Sequence, residues 1–175
     1  REGELLTELN KEVKLGTFDI AIIGSPKRKR MTQKIAQFLD TSIFFVKNFN
    51  PCWDYKILLC VDDSRATKRA VIFSTRISKQ FASDITSVTV SKTSFFGKGY
   101  RNAHIWAERY LKRKNITFES RFMSGTPVDV FVKEAGENHI IIMGKAKGNE
   151  IIKFVLGSKP IHTAQRANCP VLLVN

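Results

Sequence analysis

Acidic side chains are scarce in this 175-residue chain: 16 Asp and Glu stand against 29 Lys and Arg, a formal net charge of +13. Cysteine is scarcer still. Cys52, Cys60 and Cys169 are too few and too widely spaced for a disulfide framework or a four-ligand zinc site. They fit a reducing, cytoplasmic setting. No apolar run approaches the ~20 residues that a membrane helix needs, and the first residues lack the charged-then-apolar order of a signal peptide. Secretion, membrane insertion and disorder are therefore not expected. Hydrophobic residues reach 43% and include 13 Phe, enough for a sizeable core.

The positive charge is spread along the chain. Residues 1–53 hold nine basic and six acidic side chains, residues 54–175 twenty and ten. Dense clusters occur only at Lys27–Arg30 and Lys112–Lys114. Such a balance serves solubility, or it draws polyanions, nucleotides or anionic lipid.

From residue 55 onward strands alternate with helices. YKILLCVD (Tyr55–Asp62) has strand composition, and Ser64 can cap the helix that follows. There Ala66, Ala70, Phe73, Ile77 and Phe81 recur at helical spacing. DITSVTVS (Asp84–Ser91) predicts a second strand. Tyr100, Ala103, Ala107, Tyr110 and Leu111 mark a basic amphipathic helix, and Ile116–Met123 a third strand. Thr126, Pro127 and Asp129 begin another helix. His139–Met143 is an apolar strand closed by Gly144. A helix around Ile161–Ala167 leads to the last strand, Pro170–Val174. Unbroken apolar strands are buried on both faces. The expected fold is α/β: a doubly wound, five-stranded parallel sheet in the order 3-2-1-4-5.

Residues 1–48 repeat the back half of that unit: a helix at Leu5–Leu15, a strand at Phe18–Ile23, a short helix near Gln33–Leu39 and a strand at Ser42–Val46. Ala36-Gln37 and Ala164-Gln165 precede the two final strands at equal distance. The expected organisation is a partial copy at 1–48, a linker at 49–54 with Pro51 and Asn50, and a complete unit at 55–175. A start at Arg1 suits a fragment of a longer tandem protein.

Ligands of an open parallel sheet bind beyond the strand C-termini, where strand order reverses. That places Asp62 on one side of a crevice and Gly144 on the other. Between Gly144 and Ser158, Gly148 permits close backbone approach, and Gly157-Ser158 opens a helix whose free N–H groups suit an anion. Lys145, Lys147 and Lys159 add positive charge. A carboxylate facing a cationic Gly-rich loop suits a nucleotide, with phosphates on the loop and adenosine near the first strand. Neither a P-loop GK[ST] nor a GxGxxG is present.

ILLCVDDS (Ile57–Ser64), IIIMG (Ile140–Gly144), LGS (Leu156–Ser158) and NCPVLLV (Asn168–Val174) together resemble the universal stress protein family, tandem type. The resemblance implies binding of ATP or another adenine nucleotide, with or without magnesium. The family's ATP-binding members carry G-x2-G-x9-G-[ST]. Here the spacing is G-x3-G-x8-G-S, with Lys147 where the second Gly would stand and Gly148 after it. A one-residue shift restores the backbone path, or Lys147 obstructs it. The resemblance further implies nucleotide contacts at Val61, Asp62, Val90 and Met143. Asp63 replaces a usual Gly and adds negative charge. Residues 1–48 keep Gly24-Ser25 but place Pro26 and the KRKR run where the loop would be, so no nucleotide is expected there.

His104, His139 and His162 lie on three different elements, as helix-surface or strand-end residues rather than ligands. No metal site or catalytic residue is expected, and any hydrolysis would be slow for want of a general base. Ser64 and Ser158 suit helix caps, Cys60 and Cys169 shielded packing, Trp53 and Trp106 interface and helix packing. The resemblance implies antiparallel pairing of last strands, 42–46 with 170–174, within one chain or in a homodimer. Three functions remain open: a nucleotide-binding stress regulator, a protein-interaction module of the same fold, and an electrostatic polyanion binder, although nucleic acid is not the expected partner.

Overall fold

The computed structural model describes residues 4–24, 29–92, 97–145 and 159–175. In chain order these form α1 (Leu5–Leu15), β1 (Ile20–Gly24), α2 (Lys29–Phe38), β2 (Ser42–Val46), β3 (Lys56–Val61), α3 (Arg65–Phe81), β4 (Ile85–Ser91), α4 (Lys98–Arg113), β5 (Phe118–Ser124), α5 (Pro127–Glu134), β6 (His139–Gly144), α6 (Lys159–Arg166) and β7 (Val171–Val174). The order β1-β2-β7-β6-β3-β4-β5 makes one seven-stranded sheet, larger than the five strands expected. Residues 55–175 supply the run β5-β4-β3-β6-β7, and residues 1–48 add two strands at its other edge. Five of the six strand pairs are parallel; β2 and β7 run antiparallel, Ile43 opposite Leu173 and Phe45 opposite Val171.

Helices on both faces explain why the central strands are apolar throughout. Ile57, Leu59 and Val61 of β3 meet Ala70 and Val71 of α3 and Ala107 and Leu111 of α4. Leu58 and Cys60 point the other way, into a core with Ile35 and Leu39 near α2, Phe131 of α5 and Ile161 of α6. The edge strands differ. β5 alternates half-buried and exposed residues over most of its length, and Ile22 of β1 is 72% exposed. Both are edge strands, paired on one side only and less covered by helices than the centre of the sheet.

Two local expectations need correction. Ser64 and Thr126 occupy the N-cap positions of α3 and α5, yet neither hydroxyl makes a capping bond. For α3 the carboxylate two residues earlier does related work: the Ser64 N–H donates to Asp62 Oδ1 at 3.0 Å. Asp129, at the start of α5, pairs with Arg166 Nη1 at 2.6 Å.

The N-terminal segment shares the main core and is tied to it by polar bonds. Lys47 Nζ donates to the Ala167 carbonyl at 2.6 Å, and Asn48 Nδ2 to that of Asn168 at 3.0 Å. The segment around 49–54 is an ordered turn. Phe49 stacks on Tyr55 with ring centroids 5.2 Å apart, and the Asn50 N–H donates to the Tyr55 hydroxyl. The tightest tie is Lys145, only 7% exposed. Its ammonium donates to the carbonyls of Leu39 and Thr41, between α2 and β2. Its N–H donates to Val174 O at 2.7 Å, and its carbonyl accepts from Arg69 Nη2 at 3.1 Å.

His104 is not on the helix surface. Its Nδ1 lies 3.0 Å from Thr89 Oγ1 of β4 and its Nε2 3.3 Å from Ser120 Oγ of β5. Burial lowers its pKa from the ordinary 6.5, opposed by Glu108 at 3.5 Å. His139 is also lowered, chiefly by burial, with Lys56 and Arg121 adding to the effect; its Nδ1 accepts the Gly136 N–H, which requires an unprotonated nitrogen.

Two outcomes follow for stability. Lys145→Met removes both ammonium bonds and strands the Leu39 and Thr41 carbonyls, a loss of about 1–3 kcal/mol. Thermal unfolding should shift down by roughly 2–4 °C per kcal/mol for a chain of this size. For the histidines, a folded-state pKa below the unfolded one means that folding favours the neutral ring. Their contribution is complete above the unfolded value of 6.5 and is lost as pH falls through the folded values. Urea midpoints measured from pH 7.5 downward should decline below about 6.5, and His104→Gln should flatten that decline.

Candidate functional site

β3 and β6 are adjacent parallel strands, and their C-terminal ends bring Asp62 and Gly144 to the same rim of the sheet. After β3 the chain turns sharply into α3, and Asp62 organises the turn. Its N–H donates to Thr67 Oγ1 at 3.1 Å, and the Thr67 hydroxyl returns a bond to Asp62 Oδ1 at 2.6 Å. With Ser64 N–H also on Oδ1, that oxygen is committed to the fold. Oδ2 faces the rim, 4.0 Å from Lys159 Nζ.

Gly144 is required by a close approach. A Cβ there would lie 2.5 Å from the Ala66 carbonyl oxygen, in the first turn of α3. No side chain fits that gap without moving backbone. The approach draws the end of β6 under the start of α3.

Lys159 opens α6 with its ammonium 5.8 Å from the ring centroid of Tyr100, in the first turn of α4. Three elements thus meet at the rim: the β3–α3 turn through Asp62, α4 through Tyr100, and α6 through Lys159. Lys159 and Asp62 remain partly exposed, at 39% and 32% of their side chains, and so open to a ligand. Asp63 does not fill the space between them. It is exposed and lies toward the start of α4, where its Oδ2 is 3.1 Å from the position a Gly99 Cβ would take.

Other expected residues are placed differently. Val61, Val90 and Met143 are at most 4% exposed, with side chains in the core on opposite faces of the sheet. They can offer a ligand only main-chain groups at strand ends. Lys145, expected beside the anion, turns its ammonium inward to the α2–β2 turn. Lys147, Gly148, Gly157 and Ser158 lie outside the described residues, as do Lys27 and Arg28 of the KRKR run.

Sequence reasoning missed Thr67 and Tyr100. A Thr in the first helical turn, five residues after a strand-end Asp, was a usable signal for Thr67. Tyr100 carried none, because its place on an amphipathic helix fits packing equally well. Among the described residues no group of His, Cys, Asp and Glu could hold a metal ion. Cys60 and Cys169 are buried, with pKa values raised chiefly by burial, Cys169 to about 11; both are packing residues.

The sequence profile of the universal stress protein family matches residues 55–175. No curated protein matches the chain. Among solved structures, a universal stress protein from Archaeoglobus fulgidus DSM 4304 is 14% identical with a TM-score of 0.76, and the match covers 97% of this chain and 64% of that one. A universal stress protein in complex with cAMP is 22% identical, TM-score 0.55, over 69% of this chain and 97% of its own. Another from Archaeoglobus fulgidus, in complex with dAMP, is 18% identical, TM-score 0.53, over 69% and 98%. At such identities the likeness is one of fold, and this chain spans less than two thirds of the first of these proteins. No helix among the described residues is long and apolar enough to cross a membrane. With the family profile covering more than half its length, the chain belongs to the universal stress protein family.

Proposed function

We propose that residues 55–175 bind ATP or another adenine nucleotide at the rim between β3 and β6, and that occupancy regulates a stress response. The observation that carries this reading is the half-committed carboxylate of Asp62. One oxygen is locked by Thr67 and Ser64, and the other faces Lys159 at the entrance of α6. A polar acceptor held rigidly beside a cation and a helix N-terminus suits a ribose hydroxyl on one side and phosphate on the other. The cAMP and dAMP complexes of structurally similar family members support the choice of ligand class. Magnesium would accompany the phosphates rather than occupy a protein site of its own.

In this reading residues 1–48 are a partial first copy, residues 49–54 the linker, and β2 paired with β7 an internal pseudo-dimer. The antiparallel β2–β7 register and the match of 97% of the chain to a longer family member support it. The first copy binds no nucleotide, because Pro26 and the Lys27–Arg30 run stand where its Gly-rich loop would be. The chain acts in the cytoplasm, and its output is a changed surface rather than a reaction product.

A second reading is a protein-interaction module of the same fold. It is favoured by the same ion pair, since Lys159 already neutralises Asp62.

Titration calorimetry with ATP distinguishes the two. Binding at submillimolar ligand is expected, as is release of a co-purified nucleotide on denaturation. Lys159→Ala should weaken binding by roughly tenfold or more, the range for a lost bond to a charged group. No heat with either ATP or AMP would leave the interaction module standing.

A further inference from the structure

The cations of this protein are unevenly paired. On the β5, α5 and α6 side they meet acids: Arg121 bonds Glu119 and Glu134 at 2.7–2.8 Å, and Arg166 meets Asp129. The layer made by α3 and α4 is different. α3 carries five Lys and Arg and no acid; α4 carries five and a single acid, Glu108, which faces His104. Lys68, Arg76 and Lys79 of α3 and Arg101, Arg109 and Lys112 of α4 are all exposed, and none makes an ion pair among the described residues.

Helical spacing sorts these side chains into two outward rows. On α4, Arg101, Ile105 and Arg109 stand four residues apart, with Ile105 37% exposed between two arginines. On α3, Lys68 and Arg76 stand on either side of half-buried Ile72, which lines a cleft shared with Phe18, Asp19 and Asp40. The α4 row therefore supplies the exposed apolar centre flanked by positive charge. The aromatic rings between the helices are already occupied. Trp106 stacks on Tyr110 at 5.3 Å, Lys68 lies over Trp106 at 5.5 Å, and Arg113 and Lys114 lie over Tyr110. They offer no free platform for nucleobases.

We propose that the outer face of α3 and α4 docks on an anionic phospholipid surface. Two helices side by side on a sheet present a broad face, which suits a bilayer better than a groove would. Unpaired Lys and Arg are attracted by the surface potential of acidic headgroups. Ile105 then enters the headgroup boundary, the apolar partner that a stable electrostatic association uses. Against a nucleic acid backbone the same isoleucine would press on phosphates and strip hydration that it cannot replace. The proposal is independent of the nucleotide reading, because its residues lie on the helix faces turned away from the sheet and not at the rim.

The test is co-sedimentation of the full chain with phosphatidylcholine vesicles containing one third phosphatidylserine, beside pure phosphatidylcholine vesicles. Binding to the acidic vesicles alone is expected, weakening as salt shortens the reach of the charges. The Arg101→Glu, Arg109→Glu double variant should lower partitioning by at least about tenfold. A control double variant, Lys14→Glu with Lys133→Glu, has the same net charge and should bind like the parent. Ile105→Ser should lower partitioning by roughly tenfold, as expected for losing a buried isoleucine. Circular dichroism checks that each variant is folded; the substituted residues are all exposed. No vesicle binding at low salt, equal loss in the control variant, or no effect of Ile105→Ser would each overturn the proposal. So would binding to duplex DNA that exceeds binding to the acidic vesicles.

Discussion

The close approach of β6 to α3 at Gly144 holds the rim together. Only a residue without a side chain lets the end of β6 pass beneath Ala66. The next residue, Lys145, then reaches three directions at once: its N–H to β7, its carbonyl to Arg69 on α3, and its ammonium to the turn between α2 and β2. Everything beyond that dipeptide starts from a fixed point. The N-terminal segment is held against the same point, so the place where the chain leaves β6 is also where the two parts of the chain are joined.

This arrangement couples the rim to the added strands. β2 meets β7 edge to edge, and Lys47, Asn48 and Asn175 reinforce the seam with bonds to main-chain and side-chain oxygens. A parallel sheet that ended at β7 would expose its N–H and C=O groups. The antiparallel partner satisfies them and moves the free edge out to β1. There the cost is visible in Ile22, an isoleucine with nothing over it among the described residues.

Much of the fold was legible because strands buried on both faces must be apolar, and β3 after Lys56, β6 after His139 and the whole of β7 are. Helix faces were legible from spacing for Ala66, Ala70 and Ala107, which are buried, but not at the end of α3, where Phe81 of the same apolar row is 71% exposed. The number of strands in the sheet was not legible. Local pattern says that a strand exists, and it does not say which edge accepts it. Caps were misjudged for a related reason. Ser64 and Thr126 have the right chemistry at the right position, yet the hydrogen bonds depend on rotamers that neighbouring groups set. At the site, Asp62 and Gly144 could be named from strand ends alone and Thr67 from its place in the helical turn after Asp62, whereas Tyr100 could not.

Lys145 marks the boundary between the two kinds of knowledge. As a sequence position it is one of several lysines around a Gly-rich loop, and charge alone would aim it at an anion. Its real direction follows from a neighbour more than a hundred residues away, the carbonyl-rich end of α2, which is a better partner for a buried ammonium than open water. Composition and periodicity determined that this chain is an α/β protein whose strand ends share a rim, because burial and backbone pairing act locally and repeat. Tertiary structure alone decided which charged groups face that rim and which are consumed in building it, because a charge takes the nearest partner in space, and sequence separation does not measure that distance.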